Sequence, residues 1–134
     1  MSRYCLDTSA YTHFQKADPQ IVELLESAEW IVVPSIVIGE LAAGFLSGTK
    51  AKQNFKLLSE FLSNPVVTEV PADHDVALIF GEILSILRSQ GTPLPTNDIW
   101  IAAACARAGA TLLTYDAHFH SIRRIGSLIL TPLL

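Results

Sequence analysis

The stretch Pro95–Phe119, PTNDIWIAAACARAGATLLTYDAHF, decides how the chain is read. Thr96 is placed to cap a helix, the apolar run behind it continues that helix, and Gly109 can end it. TLLTY, residues 111–115, then has the length and apolar content of a buried strand. A helix feeding such a strand is half of the repeating unit of a parallel α/β sheet. Two acids punctuate it: Asp98 where the helix starts and Asp116 where the strand stops.

The same alternation runs through the rest of the chain. RYCLD (3–7) reads as a short buried strand, and TSAYTHF (8–14) opens with residues that favour helix starts. PQIVELLESA (19–28) has helical spacing and leads into the β-branched run WIVVP (30–34). SIVIGELAAGFL (35–46) is expected to be a helix capped by Ser35, with Val37, Leu41 and Phe45 on one face. TKAKQNFKLLSEFL (49–62) reads as a basic-fronted amphipathic helix and VVTEV (66–70) as a strand. The longest helix is predicted over 72–90, where Val76, Ile79, Phe80, Ile83 and Leu87 share a stripe and Gly91 supplies the stop. Asp73 and Asp75 at its start suit the helix dipole. The expected fold class is α/β, with a mostly parallel central sheet and right-handed crossovers, and residues 1–134 as one domain.

Half of the residues are hydrophobic and only 16% are charged, which leaves apolar surface for another chain to cover and predicts a homodimer or higher homo-oligomer. No segment has the apolar core of a signal peptide or the length of a membrane span, so a soluble cytoplasmic protein is expected. Cys5 and Cys105 sit in apolar patterns and read as buried thiols rather than a disulfide. A net charge of −4 argues against a general electrostatic grip on nucleic acid, so any such contact must be local.

In an open parallel sheet, ligands sit beyond the carboxyl ends of the strands. Four acids map there: Asp7 after the first strand, Glu40 just over one turn into the helix after WIVVP, Asp98 and Asp116. Each has an ordinary alternative, since Asp7 can cap a helix, Asp98 suits a dipole, Asp116 suits a turn and Glu40 can face solvent. Together they are harder to explain that way. Two carboxylates about 5 Å apart repel by roughly 3 kcal/mol at an effective dielectric near 20, so a cluster calls for a cation. Magnesium or manganese prefers such hard oxygen ligands and can activate water against a phosphodiester.

These pieces resemble the PIN-domain ribonucleases, and most closely the VapC-type toxins of toxin–antitoxin pairs. LDTS with Asp7, PSIVIGELAAG with Glu40, NDIWIAA with Asp98 and TYDAHF with Asp116 occur in family order and at family-like separations. The resemblance implies a PIN-like α/β/α sandwich and an Mg2+- or Mn2+-dependent endoribonuclease inhibited by a cognate antitoxin protein. It implies that Asp7, Glu40, Asp98 and Asp116 are the catalytic, metal-holding quartet. Thr8 or Ser9, and Thr114, match its hydroxyl positions near the site, although a threonine at a strand end is more often structural, and Asn97 matches its frequent asparagine, which capping explains equally well.

His118 and His120 form an H-x-H with no cysteine nearby, which argues for packing or a phosphate contact over zinc. Lys50, Lys52, Lys56, Arg123 and Arg124 are candidate contacts to RNA phosphates, with solvated helix ends as the alternative. A phosphoacceptor receiver domain would need a lysine after a late strand, and TLLTYDAHFHS has none. The remaining rival is a catalytically inactive PIN-like module that binds RNA or protein.

Overall fold

The computed structural model describes residues 2–132. Among these residues the order is β1 (Arg3–Leu6), α1 (Thr8–Gln15), α2 (Pro19–Glu26), β2 (Trp30–Pro34), α3 (Ser35–Leu46), α4 (Ala51–Leu62), β3 (Val67–Val70), α5 (His74–Gln90), α6 (Thr96–Ala108), β4 (Thr111–Thr114), a 3-10 helix (Ala117–Ser121) and β5 (Ser127–Ile129). The strands form one sheet in the order β3-β2-β1-β4-β5, and every neighbouring pair is parallel.

Successive side chains of a strand point to opposite faces, and here both faces are apolar. Cys5 and Leu112 face a core shared with α3, α5 and α6, whereas Leu6 and Leu113 face one shared with α1 and α2. The result is a three-layer sandwich. Leu6, Leu112 and Leu113 are fully buried, and each contributes about 2 kcal/mol of transfer free energy. Among the described residues, no helix is long and apolar enough to cross a membrane.

Helix boundaries follow local chemistry. Asp18 and Asp73 cap α2 and α5 by accepting the N–H groups of Gln20 (3.2 Å) and Val76 (3.0 Å). Gly91 and Gly109 end α5 and α6 at φ +66° and +65°, where a Cβ would be strained. Asp75, at the start of α5, pairs with Arg107 near the end of α6 at 3.3 Å, so the two helices run antiparallel.

Three details differ from expectation. Ser35 and Thr96 are the first helical residues rather than the caps, because Pro34 and Pro95 before them hold the extended geometry of the cap position. The Ser35 hydroxyl instead donates to Glu69 (3.0 Å) and to the Val70 carbonyl (3.3 Å) of β3. The third is β5, three residues long, which the sequence pattern did not separate from the tail. Cys5 and Cys105 are buried free thiols.

The topology also locates a crevice. From β1 the chain steps outward to β2 and β3, then returns to β4 on the other side of β1. The two directions part between β1 and β4, and the carboxyl ends of these strands deliver Asp7 and Asp116 to the same place.

Candidate active site

Asp7 is the most enclosed of the four acids, at 4% exposure. One oxygen, Oδ1, accepts the Ala10 N–H (2.8 Å) and the Ser9 hydroxyl (2.7 Å), so Asp7 does cap α1. Its other oxygen accepts the hydroxyl of Thr114, a fully buried residue at the end of β4, and that hydroxyl in turn accepts the Asp116 N–H at 3.0 Å. One threonine thus ties two acids that lie 109 positions apart in the chain.

Glu40 is held from both sides. The Thr8 hydroxyl donates to its Oε1 at 2.5 Å and the Asn97 amide to its Oε2 at 3.3 Å, linking α3 to the first turns of α1 and α6. Asp98 lies beside Asn97 in the first turn of α6 and reaches His118 at 2.6 Å through Oδ2. His118 uses its other ring nitrogen, Nδ1, on Asp116 Oδ1 at 2.7 Å. The imidazole therefore stands between Asp98 and Asp116.

The acids are electrostatically coupled. Burial raises the Asp7 carboxyl above the ordinary aspartate range; hydrogen bonds from Thr114, Ala10 and Ser9 oppose it, and the Asp98 charge adds to it. Asp98 is raised as well, first by burial, with His118 pulling it down and the charges of Asp116 and Glu40 pushing it up. Asp98 feels every other acid of the set, which makes it the electrostatic hub. Perturbed carboxyls gathered in a strand-end crevice are the arrangement expected of a functional site.

A model of the PIN domain family matches residues 4–125. The chain belongs to the PIN-domain family, on its VapC branch. It is 30% identical over 118 residues to the ribonuclease VapC2 of Haemophilus influenzae, a match that covers 85% of this chain and 86% of that one. Similarity to ribonuclease VapC1 of the same species is 28% over 118 residues, covering 84% and 86%. The fold superposes with a TM-score of 0.84 and 25% identity on VapBC2 from Rickettsia felis, solved bound to a DNA fragment from its promoter, over 96% of this chain and 98% of that one.

Not every feature of this PIN domain was visible beforehand. His118 bridges two acids, which neither the packing nor the phosphate reading anticipated, and a lone histidine in sequence carries no sign of it. Nor does the strand pattern of TLLTY mark Tyr115, whose hydroxyl donates to Asp18 at 3.1 Å. Of the candidate bases, Lys50, Lys52 and Lys56 are exposed around the start of α4, Arg123 is exposed, and Arg124 is paired with Glu82 of α5. Among the described residues, no three Asp, Glu, His or Cys side chains surround a common point as a ready cage for a metal. Most of the carboxylate oxygens instead meet hydroxyls, amides or the imidazole of His118. All-protein cages are not how Mg2+ is usually held: one or two carboxylates, waters and substrate phosphate suffice, and this donor set of carboxylate and hydroxyl oxygens fits that pattern.

Proposed function

We propose that the chain is an Mg2+- or Mn2+-dependent endoribonuclease, the toxin of a toxin–antitoxin pair, with Asp7, Glu40, Asp98 and Asp116 as its catalytic acids. The observation that carries this reading is the convergence of Asp7, Glu40 and Asp116 on Asp98 at the switch point of the sheet, with the carboxyls of Asp7 and Asp98 raised. The ribonuclease names of the VapC relatives support the substrate class, and the VapBC assemblies among the structural neighbours support a protein antitoxin.

The division of labour follows from the contacts. Asp7 and Asp98 are the less solvated acids, so their ionised forms gain most from a dication and they would hold it. A bound Mg2+ or Mn2+ would supply activation of water and neutralise charge on a phosphoryl oxygen. Thr114 and Ser9 fix the rotamer of Asp7, and Thr8 with Asn97 fixes Glu40. Asp116, whose side chain is 52% exposed, is the acid that faces incoming substrate. Lys50, Lys52 and Lys56, exposed around the first turns of α4, would take RNA phosphates.

A second copy of the chain is the proposed cover for apolar side chains left in solvent on the helices, chief among them Leu46 of α3 at 70% exposure and Leu78 and Ile86 on one face of α5. Sedimentation at micromolar concentration should give a dimer, and a well-behaved monomer would refute this part.

The nuclease reading is tested by incubating purified protein with RNA in Mg2+, in Mn2+ and in excess chelator. Cleavage that needs the metal and disappears in Asp7→Asn and Asp98→Asn is expected. Chelator-insensitive cleavage, or full activity in both variants, refutes it.

A further inference from the structure

Asp116 is the most solvent-exposed of the two acids that flank His118, and the 3-10 helix it opens has no side-chain cap. Thr114 holds its N–H and His118 its Oδ1, and the chain leading into it adds further anchors. Thr114 turns inward to Asp7, and the next residue, Tyr115, makes three contacts with α1 and α2. The Tyr115 N–H donates to Ser9 Oγ at 3.0 Å, and the same hydroxyl passes its own proton donation to Asp7 Oδ1 at 2.7 Å. The Tyr115 ring lies flat on His13, with centroids 3.9 Å apart and planes 16° from parallel. Its hydroxyl donates to Asp18 Oδ2 at 3.1 Å, and Asp18, 1% exposed, also caps α2 through Gln20.

We propose that Tyr115 and Asp18 are positioning residues: they brace the end of β4 against α1 and α2 and so set the spacing of Asp116 from Asp7 and Asp98. The buried carboxylate of Asp18 lies outside the quartet, and one of its partners is the side chain between Thr114 and Asp116. The ring stack sets the side chain's direction, the hydroxyl sets its depth, and the backbone N–H fixes the chain to the serine that also orients Asp7. Each contact shortens the list of places Asp116 can occupy.

The consequence for catalysis rests on the ribonuclease reading; the consequence for geometry does not. The test uses the full chain with Tyr115→Phe, which keeps the ring and removes the hydroxyl, and Asp18→Ala, which breaks the same brace from its other end. Trp30→Phe is the control: it loses a 2.9 Å hydrogen bond to Thr68 at the opposite end of the sheet. Three quantities are read: the imidazole 15N shifts of His118, which report its contacts with Asp98 and Asp116, the affinity for Mn2+ by electron paramagnetic resonance, and single-turnover RNA cleavage. Tyr115→Phe should move the His118 signals and weaken Mn2+ binding and the cleavage rate about tenfold each with little change in RNA KM, as loss of an outer support does at metal sites. Asp18→Ala, if it folds, should move the same signals, and Trp30→Phe should not. A Tyr115→Phe protein that melts earlier but keeps wild-type His118 signals and Mn2+ affinity would overturn the brace. Wild-type protein that neither binds Mn2+ nor cuts RNA would overturn the ribonuclease reading, while the His118 signals would still judge the brace.

Discussion

Replacing Asp98 by asparagine should stabilise the metal-free protein while abolishing its activity. His118 Nε2 and Nδ1 lie 2.6 and 2.7 Å from oxygens of Asp98 and Asp116. Across the ring those two oxygens are about 7 Å apart, and unit charges at that distance repel by about 2 kcal/mol at an effective dielectric near 20. The Asp116 side chain is 52% exposed, so solvent screening halves this to about 1 kcal/mol. Burial of the ionised Asp98 and the charge on Glu40 act in the same direction, while the contact with His118 opposes them without reversing the sign. Asparagine retains an oxygen for His118 and removes the charge, so the net gain is about 1 kcal/mol, or about 4 °C in melting temperature for a chain of this size. Saturating Mg2+ should invert the order. At a hundred times its dissociation constant, a ligand bound only by the folded wild type adds about 2.7 kcal/mol, and the variant lacks that gain. Thermal melts of both proteins, each with and without Mg2+, read the crossing. A variant less stable than wild type without metal, or stabilised equally by Mg2+, would refute the reasoning.

The raised carboxyls predict how this gap depends on pH. A folded-state value above the ordinary aspartate 3.8 means that Asp98 contributes stability when protonated and loses it as pH rises through the raised value. The advantage of Asp98→Asn over wild type should therefore be small near pH 4 and grow towards pH 7 in metal-free melts; a gap that shrinks would contradict it. Thr114→Val removes the donor to Asp7 and the acceptor for the Asp116 N–H at a fully buried position, so it should cost about 1–3 kcal/mol in denaturant unfolding. A loss under about 0.5 kcal/mol would show that the tie is slack. Changing Lys52 and Lys56 to alanine should weaken RNA binding across sequences and reduce the salt slope by about one for each lysine, as measured by fluorescence titration. An unchanged slope would remove α4 from the RNA path.

Much of the fold was legible because its signals are local. Gly91 and Gly109 stop helices where only a left-handed residue fits, and β-branched runs such as WIVVP cannot hide a helix. β5 was not legible, since three residues carry too little pattern to stand out. The cap positions slipped by one residue at Ser35 and Thr96 because a preceding proline, with its fixed φ, supplies the extended geometry that a polar cap usually supplies. At the site, acids at element ends could be assigned to one edge of the sheet from sequence order alone. What binds them could not. Thr114 meets Asp7 across 107 residues, Tyr115 meets Asp18 across 97, and His118 meets Asp98 across 20, and each pairing exists only once the strands are in register. A histidine two positions after an aspartate has no pattern that reveals a second carboxylate on another helix.

Calorimetric titration of Mn2+ into metal-free wild type, Asp7→Asn, Asp98→Asn and the brace-independent control Trp30→Phe bears most directly on whether the clustered acids serve a dication. Saturable binding is expected in wild type and Trp30→Phe, with affinity lost by tenfold or more in either acid variant. Equal affinity in all four proteins, or no binding by wild type, would contradict it.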